Sequence, residues 1–243
     1  MAVPQARVAV AAGLLPDCPH LSIIIPVLNE ADCLGQGLAR LCSLPWVTKN
    51  AEIIISDGGS NDASLDIASQ YPCSIVHSNA GRATQMNLAS KTARGKFLLF
   101  LHADSRLPED FYRLIEADPK WGFFRLRLND EAFVYRIIEG AINLRTRFSH
   151  VAGGDQGLFF NRQFFASLDA YPKIPLMEDI AICKTARRLA RPLVIRSAIA
   201  SSSRRWRDNG VVKTVLLMWS LRLAYWLGVD PRRLHNFYYP KTE

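Results

Sequence analysis

The sequence predicts an α/β fold: a single domain built on a mainly parallel central sheet, followed by an apolar helix near the C-terminus. Three observations carry this prediction. Apolar runs alternate with helical patterns through the first half of the chain, which implies right-handed crossovers and parallel pairing. The apolar runs are short, continuous and rich in β-branched residues, as strands buried on both faces are. The 243 residues, 49% of them hydrophobic, suit one domain with a sizeable core and a short appendage.

The elements follow in order. Leu21-Ser22-Ile23-Ile24-Ile25-Pro26-Val27-Leu28 is the strongest strand signal, and Asn29-Glu30 opens a helical pattern to about Leu44 that Pro45 closes. Glu52–Ser56 repeats the strand signal and Asp57-Gly58-Gly59-Ser60 ends it in a glycine turn. Asp62–Gln70 is helical, Ser74–His77 is a short strand, and a glycine opens the helix Gly81–Arg94. Phe97–His102 is another apolar strand, followed by a helix from Pro108 to Glu116. The second half is less regular. Trp121–Leu128 alternates as an edge strand would, Ala132–Phe148 is helical, Gly153–Gly157 is a polar loop, Gly157–Asn161 a strand and Glu178–Leu189 a helix. Met1–His20 holds one apolar stretch, Val8–Leu15, interrupted by Pro16 and Pro19 without a clear small-residue cleavage site. It reads as a loose extension, giving a division into residues 1–20, a domain at 21–206, and an apolar helix and tail at 207–243.

The composition narrows the function classes. The formal charge is +8, with basic residues concentrated between Arg187 and Arg207 and again at Arg232 and Arg233. Such a balance suits an anionic partner: a nucleotide diphosphate, a lipid phosphate, a membrane surface or a nucleic acid. The five cysteines are odd in number and show no C-x-x-C spacing, so they read as reduced and structural, which points to the cytoplasm. The five scattered histidines suggest no zinc cluster. The chain has no G-x-G-x-x-G and no P-loop signature.

In doubly wound sheets ligands lie beyond the carboxyl ends of the strands. The polar residues just past the strands here are Asn29 and Glu30, Asp57, His77 to Asn79, and Asp104. Asp57 either accepts hydrogen bonds from a base or ribose or sits in a turn where it caps the next helix. Asp104 either binds a hard divalent cation, whose open positions take phosphate oxygens, or caps the following helix. Glu178-Asp179 either supplies a general base for an acceptor hydroxyl or complements the dipole of the helix it starts. Arg82, at a helix start, either meets an anion or is an ordinary surface arginine.

The order Ile25-Pro26-Val27-Leu28-Asn29-Glu30, Ser56-Asp57-Gly58-Gly59-Ser60, Gly81-Arg82, His102-Ala103-Asp104 and Glu178-Asp179 resembles the inverting family-2 glycosyltransferases of GT-A (Rossmann-like) fold, from about Leu21 to Trp206. The chain also looks like a small bacterial subgroup named for arsenosugar biosynthesis. The resemblance implies that Pro26, Asn29, Glu30 and Asp57 hold the nucleoside and that Arg82 lies by the base or phosphates. It implies that His102, Ala103 and Asp104 form the Asp-x-Asp position, with Asp104 the ligand of Mn²⁺ or Mg²⁺ and Asp179 the catalytic base. His102 replaces the motif's first acid, which puts the sugar or ribose contact of that acid in doubt. Ser202-Ser203-Arg204-Arg205-Trp206 resembles only the Arg-Trp end of the processive enzymes' Q-x-x-R-W motif; Arg204 or Arg205 still offers a contact to the diphosphate. Asp155 and Gln156 would meet donor sugar or acceptor; the plain alternative is a solvated loop with turn glycines.

Val211–Leu227 is apolar on nearly every side, short for a bilayer span, and carries Lys213 and Arg222. It either packs on the domain or lies in a membrane interface with Trp219, Tyr225 and Trp226 at headgroup level. The leading expectation is metal-assisted, inverting transfer from a nucleotide sugar, a UDP-sugar by preference, to an unidentified acceptor hydroxyl. The alternatives are a polyprenyl-phosphate glycosyltransferase at the inner face of the membrane and a non-catalytic nucleic-acid or phosphate-binding protein. The acidic strand-end rim argues against nucleic acid.

Overall fold

In the computed structural model of the chain the described residues are 9–10, 16 and 18–239; the side chains at 9, 10, 113, 114, 205 and 209 lie outside that description. An eight-stranded sheet forms the centre. Its strands are β1 (Ala9–Val10), β2 (Leu21–Val27), β3 (Ala51–Asp57), β4 (Ser74–His77), β5 (Phe97–Phe100), β6 (Trp121–Leu128), β7 (Leu158–Asn161) and β8 (Leu193–Ser201). They lie in the order β1-β4-β3-β2-β5-β7-β6-β8. The run β4-β3-β2-β5 is parallel, β7 is antiparallel to both neighbours, and β8 returns parallel to β6.

Period-two alternation sends side chains to two cores, one on each face of the sheet. Ile23 and Ile25 of β2, Ile53 and Ile55 of β3, and Phe97 and Leu99 of β5 enter one core. Ile24, Ile54, Leu98 and Phe100 enter the other. Each fully buried Ile, Leu or Phe stabilises the fold by roughly 1.5–3 kcal/mol, so the central strands dominate the energetics.

The helices cover both faces: α1 (Ala31–Ser43), α2 (Pro45–Asn50), α3 (Ser64–Ala68), α4 (Arg82–Thr92), α5 (Phe133–Ser149), α6 (Arg162–Ser167), α7 (Glu178–Leu189), α8 (Arg204–Asn209), α9 (Val211–Trp226) and α10 (Pro231–Tyr238). At Gly37 of α1 an added Cβ would come within 2.5 Å of the Ala103 carbonyl oxygen, so glycine is what lets α1 approach the end of β5.

Several expectations change. Trp121–Leu128 is not an edge strand: β7 and β8 flank it, and the edge belongs to β8, which the sequence reading passed over. Pro45 ends α1 and also starts α2, because proline at a first helical position loses no hydrogen bond. The helix expected from Pro108 is only a 3₁₀ turn at Phe111–Leu114. Of the leader expected to be loose, Ala9–Val10 pairs antiparallel with Ser74 and Ile75, and residues 1–8, 11–15 and 17 lie outside the described residues.

Candidate active site

The carboxyl ends of β2, β3 and β5 open onto one rim, and hydrogen bonds between loops fix its shape. Asn29, at φ 55°, donates its backbone N–H to Ser60 Oγ at 3.0 Å and accepts from Asn61 N at 2.9 Å. Glu30 N donates to Ser64 Oγ and Ala31 N to Asp62 Oδ2. The β2 and β3 loops are therefore stapled reciprocally. Beneath them the buried Gln85 donates to the Val27 and Ser56 carbonyls at 2.8 and 2.7 Å, tying the ends of both strands to α4.

Asp57 ends β3 only 2% exposed. Its carboxylate accepts from Gly59 N at 3.0 Å and Ser60 N at 3.1 Å, with His77 Nδ1 at 3.7 Å. Asp57 thus caps its own glycine turn and not the next helix, α3, whose N-cap position is Ala63.

A depression at the centre of the rim is lined by Pro26, Arg82, Met86, Phe100, Leu101, His102, Gly154, Leu158, Tyr171, Glu178 and Asp179. Arg82 starts α4 after Gly81 (φ 129°) and sets its guanidinium against the His102 ring; its Nε stands 3.9 Å from Glu178 Oε1. Asp179 Oδ2 accepts from Gly154 N at 2.7 Å and Oδ1 from Ile180 N at 2.7 Å. At Gly154 an added Cβ would lie 2.9 Å from His102 Nε2, so a larger residue there would displace the His102 ring.

The two neighbouring acids of α7 sit differently. Asp179 is half-buried, whereas Glu178 is 6% exposed. Burial, and next the charge of Asp179, push Glu178 up to about 7; Arg82 opposes the shift. The preceding Met177 holds a left-handed φ of 70°, a conformation uncommon for a side chain of that size, which turns both acids toward the depression.

Asp104 lies two residues past His102, half-buried, and its carboxylate has no hydrogen bond or ion pair with any described residue. Beside it the buried Ser105 hydroxyl has no hydrogen-bond partner among the described residues. These two oxygen groups fit a hard cation. No group of three or more His, Cys, Asp or Glu side chains among the described residues could cage one, so most ligands would have to come from a bound diphosphate. Cys33 marks where the rim's charges meet: its thiol donates to Glu30 Oε2 at 3.3 Å and feels Asp104 and Arg204. Burial first, and then Glu30, push this thiol up to about 12, so it is not a nucleophile.

Arg204 is exposed, 3.8 Å from Asp32, on the Asp104 side of the rim. The Arg205 side chain lies outside the described residues, and Trp206 packs against the core. The loop after α5 corrects another expectation. Gln156 is fully buried: its Nε2 donates to Phe124 O and its Oε1 accepts from Gly153 N, so it pegs the loop and does not lie in solvent. Asp155 is half-buried beside Arg222 of α9; desolvation raises its pKa, and Arg222 and Arg145 counter it. Sequence reasoning missed Gln85, Ser105, Tyr171 and Arg222. Only Ser105, adjacent to Asp104, carried any signal.

The sequence model of glycosyl transferase family 2 matches residues 22–156. An uncharacterized glycosyltransferase of Escherichia coli, YibD, is 32% identical over 101 residues, 39% of this chain and 29% of that protein. An undecaprenyl-phosphate 4-deoxy-4-formamido-L-arabinose transferase of Edwardsiella ictaluri is 33% identical over 107 residues, 40% of this chain and 33% of that one. The match thus spans no more than about a third of either relative's length. Among solved structures, S. aureus TarS 1-349 in complex with UDP aligns with a TM-score of 0.59 at 16% identity, over 75% of this chain and 60% of that one. The mannosyltransferase PcManGT from Pyrobaculum calidifontis, in complex with GDP-Man and Mn²⁺, aligns with a TM-score of 0.60 at 18% identity, over 81% and 59%. At these identities the likeness is one of fold. The family match covers more than half of the sequence and takes in the rim residues from Pro26 to Asp104: the chain belongs to glycosyl transferase family 2.

Proposed function

We propose that the chain transfers a sugar from a nucleoside diphosphate sugar, a UDP-sugar by preference, to an acceptor hydroxyl with inversion. The observation that carries this reading is the meeting of Arg82, His102, Glu178 and Asp179 around one depression, with the Asp104 carboxylate, unpaired among the described residues, on the same rim. Asp179 takes the hydroxyl proton as the acceptor oxygen bonds to the anomeric carbon. The bond from that carbon to the diphosphate oxygen breaks, and its electron pair leaves on the nucleoside diphosphate. Attack opposite the leaving group inverts the centre. Backbone N–H groups of Gly154 and Ile180 fix the Asp179 carboxylate, so its remaining lone pairs have a set direction.

Arg82 at the start of α4 and Arg204 bring positive charge to the departing diphosphate. Pro26, Asn29, Glu30 and Asp57 bound the nucleoside, and His102 and Ala103 flank the sugar. A divalent cation, Mn²⁺ or Mg²⁺, held by Asp104 and the donor's phosphate oxygens, would supply Lewis-acid stabilisation of the leaving group.

The test is thermal unfolding with UDP, GDP and their sugars, with and without Mn²⁺. A ligand at 100 times its Kd stabilises the native state by about 2.7 kcal/mol. Asp104→Asn should lose most of the metal-dependent increment and keep the metal-free one. A variant retaining the whole increment would remove Asp104 as the ligand, and no response to any nucleotide would remove the donor site.

A second reading rests on the Edwardsiella relative, whose name places its sugar on undecaprenyl phosphate. A phosphate acceptor arrives already ionised, so Asp179→Asn would cost far less rate there than with a hydroxyl acceptor. An arsenosugar-type acceptor belongs in the same screen, on the strength of the narrower sequence resemblance.

A further inference from the structure

Two helices carry apolar stripes that face away from the fold. On α9, Val212, Leu216, Trp219, Leu223 and Trp226 recur every three or four residues and are exposed, Trp226 to 72%. The opposite side of α9 is already packed, with Thr214 and Leu221 buried, so folding does not need the outward stripe. On α5, Phe133, Ile137, Leu144 and Phe148 form a similar stripe, with Phe133 and Phe148 each 77% exposed. Arg222 of α9 stands against the Gly153–Asp155 loop, which follows α5 in the chain. Exposed apolar surface of this extent marks a contact face.

Charge selects the occupant. No acidic residue occurs on α9, and the one on α5, Glu139, is buried and paired with Arg136 at 3.0 Å. The exposed charges of the two helices are positive: Lys213 beside Val212 and Arg147 beside Phe148. A second copy of the chain in a symmetric pair would set these like charges together. An anionic lipid surface complements them, and tryptophan at the edge of an apolar stripe suits the headgroup region. No helix among the described residues is long and apolar enough to cross a membrane, so such a face would lie along the surface.

We propose that the outward faces of α5 and α9 together seat the protein on an anionic lipid bilayer, parallel to its plane. This does not depend on the proposed transfer reaction. Through Arg222 the seated face would adjoin the loop whose Gly154 N–H holds Asp179.

The experiment is co-sedimentation of the full chain with vesicles of phosphatidylcholine alone and of phosphatidylcholine mixed with phosphatidylglycerol. Binding to the mixed vesicles is expected, weakened by salt and weaker on the neutral ones. Trp219→Ser combined with Trp226→Ser should reduce it about tenfold or more, with an unchanged circular dichroism spectrum. Phe148→Ser on the other helix asks the same question should the double variant not fold. Failure of the parent chain to sediment with mixed vesicles would overturn the proposal. So would variants that bind as the parent does, or a dimer in light scattering that the tryptophan changes abolish without altering vesicle binding.

Discussion

Glu178→Gln should make the protein more stable at neutral and basic pH while leaving it nearly unchanged in acid. In the native chain Glu178 ionises near pH 7, against 4.5 ordinarily, because burial and then Asp179 disfavour its charge. The folded state therefore binds more protons than the unfolded state between these values, and stability falls as pH rises. The favourable contribution is fully present below about pH 4.5 and is lost through pH 7. At 1.36 kcal/mol per unit the loss is of order 3 kcal/mol. Glutamine has the same shape and no charge to desolvate, so the variant lacks this slope. Urea unfolding of both proteins between pH 4.5 and 8 measures it: the curves should start together and separate by about 3 kcal/mol. Asp179→Asn, which removes the second cause of the shift, should narrow the separation. Replacing Arg82 by Met should widen it, since Arg82 opposes the shift. Parallel curves for the parent and Glu178→Gln would refute the reasoning.

Asp179→Asn should lower turnover on a hydroxyl acceptor by roughly 10²–10⁴-fold with little change in donor affinity, as steady-state rates and nucleotide titration would show. Gln85→Ala removes both donors to the buried Val27 and Ser56 carbonyls, and should cost about 2–4 kcal/mol in urea unfolding. Gly154→Ala sets a methyl 2.9 Å from His102 Nε2, so the nucleotide-dependent melting shift should fall even where the melting temperature of the free protein holds.

The parallel half of the sheet was legible because buried strands leave unbroken apolar runs and end in glycine or acidic residues, as at Val27–Glu30 and Asp57–Ser60. The strand Leu193–Ser201 was not. Only Ile195, Ile199 and Ser201 of it are buried, in no regular alternation, and Arg196 within it lies inside the basic stretch between Arg187 and Arg207. The rim residues were legible as positions, less so as states. A carboxylate after a strand announces Asp57 and Asp104 equally, but only coordinates distinguish one that spends its lone pairs on its own turn from one that faces no described partner. Gln85 was invisible, and Gln156 was read only as a substrate contact or a solvated loop residue, for a related reason. A buried amide that satisfies backbone carbonyls leaves the same trace in sequence as one in water.

The pair Glu178-Asp179 illustrates how position and environment part company. Acids in a first turn complement the helix dipole, and that purpose is served by exposed side chains. Here Glu178 is turned inward instead, at a cost in stability that rises toward neutral pH, by a backbone that holds Met177 at a left-handed φ. Neither feature is explained by packing, since an apolar residue at position 178 would fill the space without the desolvation penalty. Strained backbone and a carboxyl displaced toward neutrality are together the mark of a site shaped for proton handling. Adjacent carboxyls with different environments take different roles. In the proposed reaction Asp179, oriented by two N–H groups, would accept the proton of the acceptor hydroxyl, while Glu178, facing Arg82, would take one up when the negative diphosphate binds nearby. Binding of a nucleoside diphosphate should therefore change the number of protons held by the protein, and calorimetric titration in buffers of different ionisation enthalpy would register that change near pH 7. Glu178→Gln should abolish it. If proton exchange persists in that variant, the coupling belongs to another group.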